Sequence, residues 1–287
     1  MAAVQDPARS SSHESLTTVA IGFTLIVLST LGHEALGHGG ACVLVECSPV
    51  QVSGTYFQGN ETGLSAAAIR AIALGGSVFN FVLGVALFAA IKRLGPRLSA
   101  NSYYVLWYGG LINLLSATGY VFFGSAFLFG DFSTVLRGAE PQVALRVGFT
   151  TLGCVLYLGS LWVMARLADP LLGSGPDRRS RLFKLVLLPQ LVAGTILAGG
   201  ALLSPYPQAA VFTMIGHVFP AVGAWGMLQW FVGNGTGKPS QEIVRSRVWW
   251  AVAGLMIVLA VAVVGPGLPR ATRAEIEARA NEARAPR

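Results

Sequence analysis

Two histidines and a glutamate lie within six residues of one another, inside a long apolar stretch of the sequence. In Ser29–Gly40, STLGHEALGHGG, the order is His33-Glu34-x-x-x-His38. This spacing is one residue longer than the HExxH motif, in which two histidines of one helix bind zinc and the glutamate acts as general base. Ionisable residues at membrane depth are costly and by default indicate a functional site. The residue types therefore predict a zinc site with Glu34 as the base.

The extra residue changes where the side chains point. On a regular α-helix His33 and His38 are about 140° apart, whereas Glu34 and His38 are about 40° apart. A π-bulge would bring both imidazoles to one side, and the four glycines among residues 32–40 lower its cost. We favour this distortion, centred on Leu36 and Gly37. One alternative is a regular helix in which Glu34 and His38 are the ligands, and another is a metal-free, hydrogen-bonded group in a bundle interior.

A third ligand is expected from Asp131, in FLFGDFSTV. It falls at the far end of the third apolar segment, which runs in the same direction as the first, so it shares a membrane side with His38. The alternative is a turn residue after Gly130. His217 is expected in the same half of the bilayer, where it would be a ligand, a proton relay, an oxyanion partner or a packed neutral histidine.

Two asparagines within apolar segments are further candidates. Asn80, in GGSVFNFVLG, and Asn113, in GGLINLLSATG, each lie beside small residues. Their amides could hold a substrate strand or polarise a carbonyl. Taken alone, each is slightly better explained as a hydrogen bond between closely packed helices.

Composition places these residues in a membrane. Of the 287 residues, 53% are hydrophobic and 11% are charged, against about a quarter charged in soluble domains. A membrane-spanning helix needs about 20 mostly apolar residues. Seven segments qualify: 16–43, 66–92, 103–130, 143–167, 182–203, 208–232 and 248–267. We therefore predict an all-α polytopic membrane protein with about seven transmembrane helices.

A short membrane-associated β-hairpin is predicted at about 46–60, after the first span. The segment ECSPVQVSGTYFQGNETG alternates β-branched and aromatic residues with small polar ones and carries a Gly59-Asn60 turn signal. The predicted organisation is a polar N-terminal tail at 1–15, a three-helix core with the hairpin at 16–135, four further transmembrane helices at 136–267 and a charged C-terminal tail at 268–287.

The net charge of +7 arises mainly from short loops and the C-terminal tail, a pattern that indicates lipid headgroups and topology rather than nucleic acid. Basic residues in alternate loops place the N-terminus in the cytoplasm, but five arginines from Arg270 onward would then lie on the opposite side, so the orientation stays open. Cys42 and Cys47 would pair in an oxidising compartment. We favour two small buried residues instead, because three cysteines make no disulfide framework and match no ligand spacing.

The quoted segments resemble the site-2 proteases, a family of intramembrane zinc metallopeptidases. GHEALGHGGA is similar to their first-helix HExxH, and AIALGGSVFNFVLG to their glycine-proline-x-x-asparagine segment, with Ser77 in place of proline. INLLSATGYVFFGSAFLFGDFSTV is similar to the third core helix, which has an early asparagine and a late zinc-binding aspartate, although the usual Asp-Gly order appears here as Gly130-Asp131. The resemblance covers roughly Leu16 to Val135.

This resemblance implies that His33, His38 and Asp131 bind Zn²⁺, that Glu34 activates water and that Asn80 helps to hold substrate. The substrate would be a transmembrane protein or peptide in a lipid bilayer, in a bacterial-type inner or plasma membrane. The family usually opens its site towards the cytoplasm, whereas the loop charges here place it on the opposite side.

The sequence thus predicts an intramembrane zinc endopeptidase, whose unwound substrate pairs with the ribbon at Val50–Phe57 by strand addition. Two alternatives remain. One is a non-catalytic metal-binding or transport protein that uses Glu34, His38, Asp131 and His217 as a polar pathway. The other is a pseudoprotease that binds membrane partners without cleaving them.

Overall fold

Among the residues that the structure describes, five helices are long and apolar enough to cross a membrane. The computed structural model describes residues 7–206, 208, 222–233, 235, 240–270, 274, 275 and 278. Within these residues the candidate spans are Glu14–Leu44, Ala66–Arg97, Ala100–Phe127, Gln142–Leu167 and Arg178–Ala201. They coincide with the first five predicted spans, and this mostly helical architecture is that of an integral membrane protein.

The predicted number of seven spans is not confirmed. Most of the sixth, at 208–232, lies outside the described residues. The seventh corresponds to a shorter apolar helix, Arg247–Val263. Before its start, the Ser246 N–H donates to Thr17 Oγ1 (3.2 Å), and beyond its end the Leu268 N–H donates to the Val52 carbonyl (2.7 Å). This helix therefore runs alongside the first span in the same direction.

Several spans are built from α-helical and π-helical pieces in succession. The α-helices are α1 (Pro7–Leu31), α2 (Gly39–Leu44), α3 (Ala66–Leu94), α4 (Ala100–Gly119), α5 (Ser125–Phe127), α6 (Gly130–Leu136), α7 (Gln142–Leu167), α8 (Asp169–Leu172), α9 (Arg178–Leu182), α10 (Leu188–Ala201), α11 (residues 222–232) and α12 (Arg247–Val258). The π-helices are Gly32–His38, Tyr120–Gly124, Phe183–Leu187 and Leu259–Val263, and a 3₁₀ turn covers Gly95–Arg97. Serine hydroxyls cap three N-termini, with Ser65 before α3, Ser99 before α4 and Ser246 before α12.

The predicted β-hairpin is present. Strand β1 (Ser48–Val52) pairs antiparallel with β2 (Phe57–Asn60), with an irregularity between Pro49 and Gln51. At Val52, β1 also exchanges two backbone hydrogen bonds with Leu268. The hairpin backbone is therefore paired on both sides of β1, as a ribbon near the membrane requires.

A disulfide joins Cys42 and Cys47, so the preference for two unbonded buried residues was wrong. Glu46 adopts a left-handed conformation (φ 62°) after α2, and this reversal brings the two Cα atoms within 4.7 Å. Gly59 of β2 lies against the bridge, since a Cβ there would be 2.6 Å from Cys47 Sγ. The disulfide therefore fixes the end of the first span beside the hairpin.

Aromatic side chains of α4 join the helices around the main core. Pro189 has no N–H, so the Leu185 carbonyl four residues earlier lacks its helical donor. The Tyr104 hydroxyl donates to this carbonyl (2.8 Å), and the Trp107 indole N–H donates to the Met164 carbonyl (2.8 Å). Both rings are fully buried. Polar tips of large apolar side chains thus hold α4 against α7 and the helix that contains α10.

Candidate metal centre

The two histidines of the motif lie on the π-helix Gly32–His38. Its i→i+5 hydrogen bonding widens the turn, so residues five apart face the same side. The rings of His33 and His38 meet edge to face with centroids 4.8 Å apart, and their Nε2 atoms are 3.2 Å apart. The predicted π-type distortion is confirmed. The alternative of a regular α-helix through His33 and His38 is excluded.

Asp131 faces the two histidines from a separate helix. Its Oδ2 lies 3.4 Å from His33 Nε2 and 3.4 Å from His38 Nε2. The sequence placed Asp131 at the far end of span three, but the chain breaks at Leu128 (φ 55°) and Gly130 (φ 57°), and Asp131 occupies the first turn of α6. Two left-handed residues therefore redirect the chain so that this carboxylate returns to the first span.

The three ligand atoms form a triangle with sides of 3.2, 3.4 and 3.4 Å. Zinc binds nitrogen and oxygen at about 2.0–2.1 Å in a tetrahedral arrangement, which places two ligand atoms about 3.3 Å apart. Asp131 Oδ2 is buried and makes no hydrogen bond within the described part of the chain. His33, His38 and Asp131 could therefore hold a metal ion, and their separation fits zinc.

Asp131 is ionised at neutral pH. Burial by itself raises the pKa of its carboxyl group. The neighbouring imidazoles of His33 and His38 have the opposite and larger combined effect, so the pKa falls below its ordinary value, to about 2. A carboxylate acts as a metal ligand in its deprotonated form. The protein thus supplies an anionic oxygen donor opposite two nitrogen donors.

Groups around the two imidazoles fix how the rings are oriented. His38 Nδ1 lies 2.7 Å from the Ile72 carbonyl, which can only accept, so Nδ1 carries the hydrogen and Nε2 keeps its lone pair for a metal. Phe57 stacks on His38 with centroids 6.4 Å apart, and Tyr120 stacks on His33 at 5.2 Å. Sequence reasoning missed these partners, because a backbone carbonyl leaves no sequence signal and an aromatic residue in an apolar segment resembles ordinary core.

Glu34 follows His33 in the sequence and is buried with both histidines on the inner side of the π-helix. The exposed fractions are 5% for His33, 7% for Glu34 and 6% for His38, whereas Leu36 is 66% exposed. The three atoms that could hold a metal ion belong to His33, His38 and Asp131, so Glu34 is not part of this group. The helix thus presents its polar residues to the protein interior and its apolar residues outward.

An apolar cleft of about 480 Å³ opens beside the metal centre. It lies between the first span and the hairpin, and its walls include Ala35, Gly39, Val43, Val52 and Phe57. Phe57 is the ring that stacks on His38. Phe57 therefore lies both in the wall of this cleft and against the imidazole of His38.

The other candidates occupy different places. Asn80 Nδ2 lies 3.1 Å from His33 Nδ1, which puts its amide directly behind a ligand. Asn113 Oδ1 accepts from the Ser29 hydroxyl (3.0 Å), and its Nδ2 donates to the Gly109 carbonyl (2.8 Å), so its amide joins α4 to α1. His217 lies outside the described residues.

No protein-family model, curated protein or solved structure matches this chain. Its function must therefore be inferred from the chemistry of the site itself.

Glycines bring the π-helix Gly32–His38 unusually close to α3. A Cβ on Gly37 would lie 2.5 Å from the Gly76 Cα, and one on Gly76 would lie 2.4 Å from His33 Nε2. We expect Gly37→Ala to push the helices apart, to destabilise the protein by about 1–3 kcal/mol and to weaken zinc binding, because backbone atoms cannot yield as a side chain can. Denaturant unfolding in detergent micelles and zinc titration measure the two effects.

The matched control is Gly40→Ala, three residues further along the same span. A Cβ there meets nothing within 4 Å. We expect this variant to unfold and to bind zinc as the unmodified protein does. Equal behaviour of the two alanine variants would contradict a close glycine contact at the metal centre.

Proposed function

We propose that this protein is an intramembrane zinc metalloendopeptidase that hydrolyses peptide bonds of membrane-embedded substrates. The observation that carries the proposal is the convergence of two imidazole nitrogens and one carboxylate oxygen within 3.4 Å of one another, with the buried Glu34 on the same π-helix as the two histidines. Catalytic zinc sites keep three protein ligands and leave one position open. Three ligands and an adjacent free carboxylate are the parts that such a site requires.

In the proposed mechanism, His33, His38 and Asp131 hold the metal, and Glu34 moves the proton. When bound, zinc lowers the pKa of a water molecule towards 7 and polarises the peptide carbonyl. Glu34 accepts the proton of the attacking water and then gives it to the amine that leaves, so the same carboxylate is base and acid in turn. Its buried position shields this proton transfer from bulk solvent.

The substrate would enter as an extended segment through the apolar cleft beside Phe57. Carbonyls of a transmembrane helix are already hydrogen-bonded, so the helix must unwind locally, and the freed groups need new partners. At Val52, β1 is already paired with Leu268. Within the described residues β2 pairs with β1 alone, which leaves β2 to receive a substrate strand.

We place the protein in a bacterial-type inner or plasma membrane, with its metal site open to the non-cytoplasmic side. Two independent features support this side. The Cys42–Cys47 bridge lies at the end of the first span that carries the site, and disulfides persist in oxidising compartments. Basic residues of the loops that join the spans concentrate at the opposite ends, as is typical of the cytoplasmic side, and the five arginines from Arg270 onward are the exception to this pattern.

Metal removal tests the reaction and the orientation together. The protein would be expressed with a membrane-spanning reporter substrate, and sealed vesicles of both orientations would be prepared. We expect EDTA, which does not cross membranes, to stop cleavage only in vesicles whose non-cytoplasmic face points outward. Zinc added after the EDTA has been washed away should restore cleavage. Cleavage that survives chelation in permeabilised membranes would exclude the proposed reaction. Inhibition only in inverted vesicles would exclude the proposed side.

A further inference from the structure

We propose that Asn80 is a positioning residue for the metal site, whose amide oxygen accepts the Nδ1 hydrogen of His33 and so directs the His33 Nε2 lone pair to the metal. This inference rests on the proposed function, because it assigns a role around the same ion. The family resemblance gave Asn80 a different task, that of holding substrate.

The first step concerns the two nitrogens of His33. Its Nε2 lies 3.2 Å from His38 Nε2 and 3.4 Å from Asp131 Oδ2, so Nε2 is the atom that faces the ligand triangle. A neutral imidazole binds metal through its unprotonated nitrogen and carries hydrogen on the other. The Nδ1 of His33 must therefore donate a hydrogen when a metal is bound.

The second step concerns what this hydrogen meets. The Asn80 amide lies 3.1 Å from His33 Nδ1 and is 1% exposed. With its N–H₂ towards Nδ1, two donors would face each other, while the buried Asn80 Oδ1 has no partner within the described residues. The two ends of an amide are alike in size, so a half turn about the terminal bond exchanges them without moving other groups. That turn provides the acceptor His33 needs.

The neighbours of Asn80 accommodate the turned amide. The Ser116 hydroxyl lies 2.8 Å from the same end of the amide, and a hydroxyl can donate as readily as it accepts. One carbonyl oxygen has two lone pairs, so Oδ1 can accept from His33 and Ser116 together.

His38 provides an internal comparison. Its Nδ1 lies 2.7 Å from a backbone carbonyl, that of Ile72, which can only accept. Both histidines then have the same arrangement, with Nδ1–H held by an oxygen and Nε2 at the triangle. Partners of this kind typically contribute about 10–100-fold to metal affinity.

The experiment measures zinc affinity of the detergent-purified full-length chain without substrate, by competition with a chelating dye. We expect Asn80→Leu to lower the affinity about 10–100-fold, since Nδ1–H loses its acceptor. We expect Asn80→Asp, which retains only acceptor oxygens, to bind zinc at least as tightly as the unmodified protein. Asn113→Leu makes the same change at a buried amide that contacts no ligand, and should leave the affinity unchanged.

The outcomes separate this inference from the proposed function. If the unmodified chain binds zinc and Asn80→Leu binds it equally well but cleaves poorly, Asn80 holds substrate, and the inference is overturned while the protease proposal stands. If the unmodified chain binds no zinc, both are overturned. Should Asn80→Leu fail to fold, Asn80→Asp still decides, because a tenfold weaker zinc affinity in that variant would show that Asn80 acts as a donor.

Discussion

Glu34→Gln is expected to abolish peptide cleavage while leaving one zinc ion bound per chain. The three atoms that could hold a metal ion belong to His33, His38 and Asp131, so the substitution leaves this proposed ligand set intact. Glutamine has nearly the same shape as glutamate but cannot accept the proton of the attacking water. General-base catalysis is worth about 10²–10⁴-fold in rate, and we expect the loss to reach at least that range. Metal analysis and cleavage of a reconstituted transmembrane peptide measure the two properties in one preparation.

The control for Glu34→Gln is the same substitution at Glu61. This residue is exposed in the loop after β2, so Glu61→Gln should retain both zinc and cleavage. Cleavage that continues in Glu34→Gln would contradict the assigned base. Loss of zinc in that variant would instead make Glu34 a metal ligand.

The sequence was most informative where spacing and hydropathy define geometry. The spacing of His33 and His38 fixes the angle between their side chains around the helix axis. Both side chains can reach one metal ion only if this angle becomes smaller, and a π-helix, with its wider turn, makes it smaller. The first five spans follow in the same way from the length of apolar segments that a bilayer requires. Asp131 could be predicted as a neighbour of His38 because the first and third spans run in the same direction, so their C-terminal ends lie on the same side of the membrane.

The features that the sequence did not predict depend on local backbone conformation and on contacts distant in sequence. The separation of Cys42 and Cys47 does not reveal that Glu46 reverses the chain, so their pairing was judged less favourable than it is. The Ile72 carbonyl reaches His38 only because α3 packs closely against the metal helix. The amide of Asn80 could not be distinguished from an ordinary interhelical hydrogen bond without its distance to His33.

Asp131→Asn is expected to remove zinc and cleavage together. The neutral amide keeps the size of the side chain, so α6 should remain folded, but the site loses its anionic donor and the field that favours a divalent cation between two imidazoles. Loss of a group that hydrogen-bonds a metal ligand typically lowers metal affinity about 10–100-fold. Because Asp131 is itself a proposed ligand, we expect a larger fall in zinc affinity. Dye competition, metal content and peptide cleavage are measured on the same sample. Asp177→Asn, at an exposed position before α9, is the matched control and should change none of them.

The two variants together distinguish a protease from a transporter. A protease requires that Glu34→Gln keep zinc and lose cleavage, while Asp131→Asn loses both. A transport pathway would instead give zinc flux into liposomes that disappears with Asp131→Asn, and no peptide cleavage in the unmodified protein. A pseudoprotease would hold zinc without either activity. If Asp131→Asn binds zinc as tightly as the unmodified chain, the carboxylate 3.4 Å from both imidazoles is not a ligand, and the metal centre requires another third donor.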